Sequence, residues 1–261
     1  MYFDTHTHLN DRPFTENLES YLDRARQAGV CLMNLVSYDL PSSLRAVEIS
    51  QAHEGLYAVI GIHPHDADTW NEEARESLIG LSQSPKVVAI VEIGLDYHFE
   101  DRLADAIQVR AFTEQMDLAY DLDLPIVIHS RDADRDIYPL LVEQKNKGKL
   151  RDLPGVFHCY SSDLILAEKL MELGFYLGFD GPVTFKNGRE NLAVASTIPL
   201  ERLLLETDCP YLAPVPQRGS TNEPSYLPYI GRKIAEARGL SEEEVAVQVL
   251  MNSKKVFAIE S

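Results

Sequence analysis

Eight short apolar runs rich in β-branched residues begin near residues 2, 31, 57, 87, 125, 155, 175 and 203, and helical patterns lie between them. Alternation of this kind commits a chain to a parallel sheet, because a helical crossover returns each strand in the same direction and with one hand. Eight repeats are the number that closes such a sheet, and 261 residues suit the roughly 250 that one closed barrel occupies. The expected architecture is α/β: a single-domain TIM-type (β/α)8 barrel over residues 1–261, with a site at the C-terminal face of its parallel strands. Helices are predicted near 16–28, 41–53, 72–83, 102–121, 134–146, 162–173, 188–196, 225–238 and 241–257. Phe112, Met116, Leu118 and Leu122 keep the helical period, whereas Ile126, Val127 and Ile128 run unbroken as a strand buried on both faces does. Pro41, Pro125, Gly155 and Gly174 punctuate the joins. No low-complexity linker marks a second domain, and LAPVPQRGSTNEPSYLP reads as a loop leading to the terminal helices.

The apolar runs end in polar residues of one chemical kind: FDTHTH, AVIGIHPH, VVAIVEIGLD, PIVIHSRD, GVFHCYS and LLLETDCP. Downstream strand ends share one face of a parallel barrel, so these side chains are expected to converge. Strand alternation puts Asp4, His6 and His8 on one face, where both imidazoles reach a single ion and Asp4 supports one of them. Glu92 follows VVAIV, and a carboxylate in that place needs a cation as partner, with two oxygens able to bridge a pair of ions. His129 and His158 close two further strands and supply, with Glu92, a second ion site. Asp208 ends LLLETD, the position from which a carboxylate can bind one ion and accept the proton of an attacking water. Glu206 shares its strand face and is expected to orient neighbouring ligands. In GIHPH, His65 is expected to face the mouth and meet substrate phosphate or water, with His63 doing the same or packing. Asp96 and Tyr97 are expected to shape the pocket floor, while His98 goes to solvent and His53 to structure.

Composition narrows the partners. A formal net charge of -17 argues against a broad DNA-coating surface, which needs Lys and Arg to neutralise phosphates. An anionic substrate remains compatible, since bound cations make a pocket locally positive on an acidic protein. Cys31, Cys159 and Cys209 have no disulfide or zinc-finger spacing and are expected to be buried free thiols. No basic-then-apolar leader is present, and no apolar run nears the roughly 18 residues of a membrane span. A cytoplasmic protein with no membrane contact and no obligate protein partner is the expectation.

The motifs DTHTHLN, GIHPH, EIGLDYH, PIVIHSRDA, FHCYSS, TFKNG, LLETDCPYLAP and RGSTNEP, in this order, resemble the TatD family of metal-dependent hydrolases, within the amidohydrolase superfamily. The resemblance covers essentially the whole chain. It implies a barrel with a binuclear site in which His6, His8, Asp208 and bridging Glu92 hold one ion, and Glu92, His129 and His158 the other. Related superfamily members often bridge with a carbamylated lysine, where this chain has Glu92. Family members are mainly described as deoxyribonucleases, and some relatives act on D-aminoacyl-tRNA. One departure is Ser220, where a lysine often follows the Arg-Gly pair. The expected reaction is hydrolysis of DNA phosphodiesters by metal-activated water, with Asp208 as base and Glu92 as bridge. Arg131, Lys186 and Arg218, with His63, His65 and Tyr97, are the expected substrate contacts. The expected cofactor is two divalent ions per chain, and four histidines suit zinc, manganese or cobalt better than magnesium. An ester hydrolase such as a D-aminoacyl-tRNA deacylase is the alternative on the same ligands, and a non-catalytic metal scaffold is the third reading.

Overall fold

Apolar runs of three to ten residues become eight parallel strands, hydrogen-bonded in chain order. They are β1 Tyr2–Thr7, β2 Val30–Val36, β3 Leu56–Ile60, β4 Val87–Asp96, β5 Ile126–Arg131, β6 Gly155–Phe157, β7 Tyr176–Phe179 and β8 Leu203–Leu205. Among the described residues ten α-helices accompany them, besides short 3-10 turns such as Pro64–Thr69: α1 Arg12–Thr15, α2 Leu18–Gln27, α3 Leu40–Ala52, α4 Glu72–Leu81, α5 Asp105–Asp121, α6 Asp134–Asn146, α7 Leu164–Glu172, α8 Arg189–Thr197, α9 Leu227–Arg238 and α10 Glu242–Val256. This computed structural model describes residues 1–260. The predicted strands and helices are all present; the single turn α1 is an addition, too short to leave a periodic signal. Local chemistry fixes several ends. The Asp39 and Ser42 side chains cap α3 reciprocally with each other's backbone, Ser241 and Glu244 do so for α10, and Gly239 closes α9 in the left-handed region. No helix among the described residues is long and apolar enough to cross a membrane.

Strand alternation sorts the core into two shells. Phe3, Val36, Val59, Val91, Val127, Val156, Tyr176 and Leu204, one from each strand, form one buried cluster and therefore fill the barrel. Their neighbours Leu35, Ile60, Ile90, Ile128, Phe157, Leu177 and Leu205 belong to the other cluster, with Leu22, Val47, Leu78, Phe112 and Leu170 of the surrounding helices. Val256 and Phe257, at the end of α10, join the interior cluster, and Phe257 packs 6.0 Å from Phe3. The N-terminal mouth is thereby plugged with apolar side chains, which leaves the opposite mouth for polar chemistry.

Two features aim side chains at that mouth. Register shifts occur in β1 between Asp4 and Thr7 and in β4 between Ile90 and Ile93. Each reverses the facing of the residues downstream of it, as a bulge does, so His6, His8 and Glu92 turn inward. Gly94 lets β4 pass close to β5, since a Cβ there would stand 1.9 Å from the His129 carbonyl oxygen. The second feature is the seam between the first and last strands. Thr7 bridges Cys209, His8 N–H donates to the Cys209 carbonyl at 3.0 Å, and Asp208 N–H donates to that of His6 at 2.9 Å. Asp4, expected beside an imidazole, instead accepts from Thr207 N–H at 2.9 Å and from its hydroxyl at 2.7 Å, because it lies before the register shift. Its role is to fasten the seam.

Replacing Phe257 by Ala should remove about 3–5 kcal/mol of stability in guanidinium unfolding, the usual cost of emptying a large aromatic site. A loss below about 1 kcal/mol would show that the plug does not hold the barrel.

Candidate metal centre

Parity carries the interior face past the strand ends. Val127 leads to His129, Val156 to His158, Leu204 to Glu206 and Asp208, and Val59 through Gly61 to His63. These residues meet His6, His8 and Glu92 in the C-terminal mouth. A cavity of about 730 Å³ opens above them, lined by His8, His63, His65, Glu92, His129, Arg131, His158 and Asp208 among others.

Glu92 is central and buried. Its Oε1 lies 3.5 Å from His6 Nε2, 3.2 Å from His158 Nε2 and 3.8 Å from His129 Nδ1, while Oε2 lies 3.9 Å from His8 Nε2. Asp208 Oδ1 is 3.6 Å from His6 Nε2 and 3.4 Å from His8 Nε2. Most of these separations are too long for good hydrogen bonds. They are the spacing of donors round an ion: two atoms each about 2.1 Å from a tetrahedral cation stand about 3.4 Å apart. Both ring nitrogens of fully buried His6 and Nδ1 of His8 and His158 have no hydrogen-bond partner. Orphaned buried nitrogens are costly, and of these His6 Nε2 faces the Glu92 and Asp208 carboxylates, where a cation would satisfy it. The residues therefore fit a divalent metal. Three sets of potential ligands stand close enough to share an ion: His6, His8 and Asp208; His63, Glu92 and His129; and His6, His158 and Glu206.

Electrostatics agree. Burial opposes a charged Glu92, yet the surrounding His6 and His158 rings hold its carboxyl well below the ordinary range. Asp208 is likewise held low against burial by His8 and His6. Burial lowers His8, but contact with Asp208 and the charge of Glu92 overcome it and push the ring up to about 9. Carboxylates and imidazoles here share protons that a cation would displace.

Supporting contacts fix the rings. Asp96 Oδ2 accepts from His129 Nε2 and from His65 Nε2, each at 3.1 Å, and leaves His129 Nδ1 facing Glu92. Glu206 lies with one oxygen 3.7 Å from His158 Nδ1 and accepts Cys159 N–H with the same oxygen. Gly178 makes the space, because a Cβ there would stand 2.4 Å from the Glu206 carboxylate. His63 Nδ1 accepts the His65 backbone N–H at 3.1 Å, capping the 3-10 turn Pro64–Thr69, so a neutral His63 carries its proton on Nε2 and offers a donor to the cavity.

The expected substrate contacts divide. His63, His65 and Arg131 line the cavity, and Arg131 is its one Lys or Arg among carboxylates of Asp11, Asp66, Glu92, Asp96 and Asp208. Lys186, Arg218 and Tyr97 do not line it. Lys186 is exposed, the Arg218 guanidinium lies 3.9 Å over the Phe185 ring, and the Tyr97 hydroxyl donates to Asp136 at 3.1 Å. Ser220 is exposed on the same loop as Arg218. His98 pairs with Asp132 and His53 with Glu19, both away from the cluster. Of the thiols, Cys209 is buried while Cys31 and Cys159 are half-buried, less enclosed than expected. Asp96 is the residue whose role the sequence reading missed. Its signal was there: it follows Glu92 by two steps of strand parity.

A parallel barrel with imidazoles and carboxylates gathered round potential cation positions at its C-terminal mouth defines a metal-dependent hydrolase. Residues 3–258 match the family model described as TatD related DNase, and the chain belongs to that family. It is 42% identical over 259 residues to an uncharacterized metal-dependent hydrolase, YabD, of Bacillus subtilis (strain 168), covering 99% of this chain and 100% of that one. Identity is 37% over 261 residues to the 3'-5' ssDNA/RNA exonuclease TatD of Cronobacter sakazakii, covering 98% of this chain and 97% of the relative. The crystal structure of YjjV, a TatD homolog from Escherichia coli K12, is similar with a TM-score of 0.88 at 30% identity, covering 99% of this chain and 98% of that one.

Asp96→Ala should free the His129 ring and lower divalent-cation affinity by about 10–100-fold, measured by competition with a chelating dye. Unaltered affinity would mean that His129 needs no such support.

Proposed function

We propose that this chain hydrolyses phosphodiester bonds of nucleic acid, most directly DNA, with two divalent cations. The observation that carries the reading is Glu92, one carboxylate set between two groups of imidazoles. His6, His8, Glu92 and Asp208 would hold one cation, and Glu92, His129 and His158 the other. A donor set rich in nitrogen suits zinc, manganese or cobalt over magnesium. When bound, the cations supply positive charge for the phosphate oxygens and acidify a water near neutral pH.

The chain's own groups do the rest. Asp208 would accept the proton of the attacking water on the carboxylate oxygen not given to a cation, as a carboxylate kept ionised by His8 and His6 is able to do. His63 donates from Nε2, and Arg131 from its guanidinium, to the phosphate oxygens. Asp96 keeps His129 in place, and His65 leans on the same carboxylate. Five carboxylates line the cavity, so an anionic substrate would be repelled without the cations. The name of the Cronobacter sakazakii relative supports nucleic acid as the substrate.

Purified protein, stripped with chelator and reloaded with single metals, should cleave single-stranded DNA or RNA only when reloaded. Preferential deacylation of D-aminoacyl-tRNA would replace the nuclease with an ester hydrolase, and no turnover of any of these would leave a metal scaffold. Asp208→Asn should lower kcat at least about 100-fold while losing less metal than Glu92→Ala. Wild-type activity in Asp208→Asn would remove it as the base.

A further inference from the structure

Three aromatic residues are exposed among the described residues: Phe99 at 43%, Tyr120 at 40% and Tyr211 at 58%. Two of the three, Phe99 and Tyr211, line the cavity over the metal cluster. Phe99 follows β4 and Tyr211 follows β8, strands four apart in a ring of eight, so the two rings stand on opposite rims. Each leans on a histidine of the site. The Phe99 ring meets His65 edge-on at 5.5 Å, with the Arg131 guanidinium 5.3 Å from its centroid. Tyr211 meets His8 edge-on at 6.0 Å, and its N–H donates to the Asp208 carbonyl at 2.9 Å. Both residues are thus fixed beside the cluster while much of their surface stays open to the cavity and water.

Resting on the nuclease reading, we propose that Phe99 and Tyr211 are base-stacking platforms for the two nucleotides flanking the scissile phosphate. The substrate class comes from the placement. Two rings on opposite sides of one phosphate take neighbouring bases only if those bases are splayed apart, which an unpaired strand allows and a stacked duplex resists. Stacking on a ring face reads no base edge, so recognition is indifferent to sequence. Arg131, beside the Phe99 ring, places a positive charge where the backbone passes.

The test compares metal-loaded wild type, Phe99→Ala, Tyr211→Ala and the control Tyr120→Ala on a single-stranded oligonucleotide. The same strand with abasic residues on both sides of the cleaved bond is the second substrate. Each cavity variant should raise KM about ten-fold on the intact strand with a smaller change in kcat, and the control should not. On the abasic strand the penalty should shrink to less than about two-fold, since the missing base and the missing ring remove one interaction. Phe99→Trp and Tyr211→Phe should restore the intact-strand KM, and metal content should match wild type throughout. Equal penalties on both strands, or none on either, would overturn the stacking assignment while leaving the nuclease reading intact. Failure of wild type to cleave any nucleic acid would overturn both.

Discussion

Everything at the open mouth is organised around one buried carboxylate that does not neutralise itself. Glu92 sits sixth of ten residues in a strand that is buried throughout, where an isolated charge is heavily penalised. Histidines from three different strand ends stand within 3.9 Å of it, and the charge and hydrogen-bonding capacity of His6 and His158 keep it ionised. None of these imidazoles is adjacent to Glu92 in sequence. Only a barrel that fixes each strand relative to the next can hold them at common distances, so the electrostatics of the cluster depend on the rigidity of the apolar sheet beneath.

That rigidity comes from a division of labour between the two ends. Interior valines, with Phe3 and Tyr176, fill the lower barrel, and Phe257 closes it from below. The polar end has no such filling and is held by directional bonds: the seam through Asp4, Thr207, His8 and Cys209, and the carboxylate supports of Asp96 and Glu206. Precision at the cluster is therefore inherited from packing on one side and from hydrogen bonds on the other.

Much of this was legible in the linear chain. The strand runs around Val127 and Val156 foretell both the barrel and the inward facing of His129 and His158, because strict alternation continues past each strand end, whereas His63, left between the mouth and packing, is placed at the cavity by the fold. The basic residues were less legible. Arg131 stays beside the cavity since it ends a barrel strand, whereas Lys186 and Arg218 lie in connecting segments whose course no periodicity describes, and both fall outside the lining. Tyr97 directly follows β4, yet its hydroxyl turns toward Asp136 at the head of α6.

At β1 and β4 the limit is sharpest. Counting by twos from Phe3 would turn Asp4, His6 and His8 outward together, and counting from Val91 would turn Glu92 outward as well. The register shifts undo this, sending the histidines and Glu92 into the mouth and leaving Asp4 to fasten the seam. Residue order alone determined the number of strands, their parallel sense and which chemical groups arrive at their downstream ends, since these depend on local hydrophobic period and connection length. Which way those groups face and how far apart they stand was decided in three dimensions, because register belongs to the pairing of two strands and is not a property of either one.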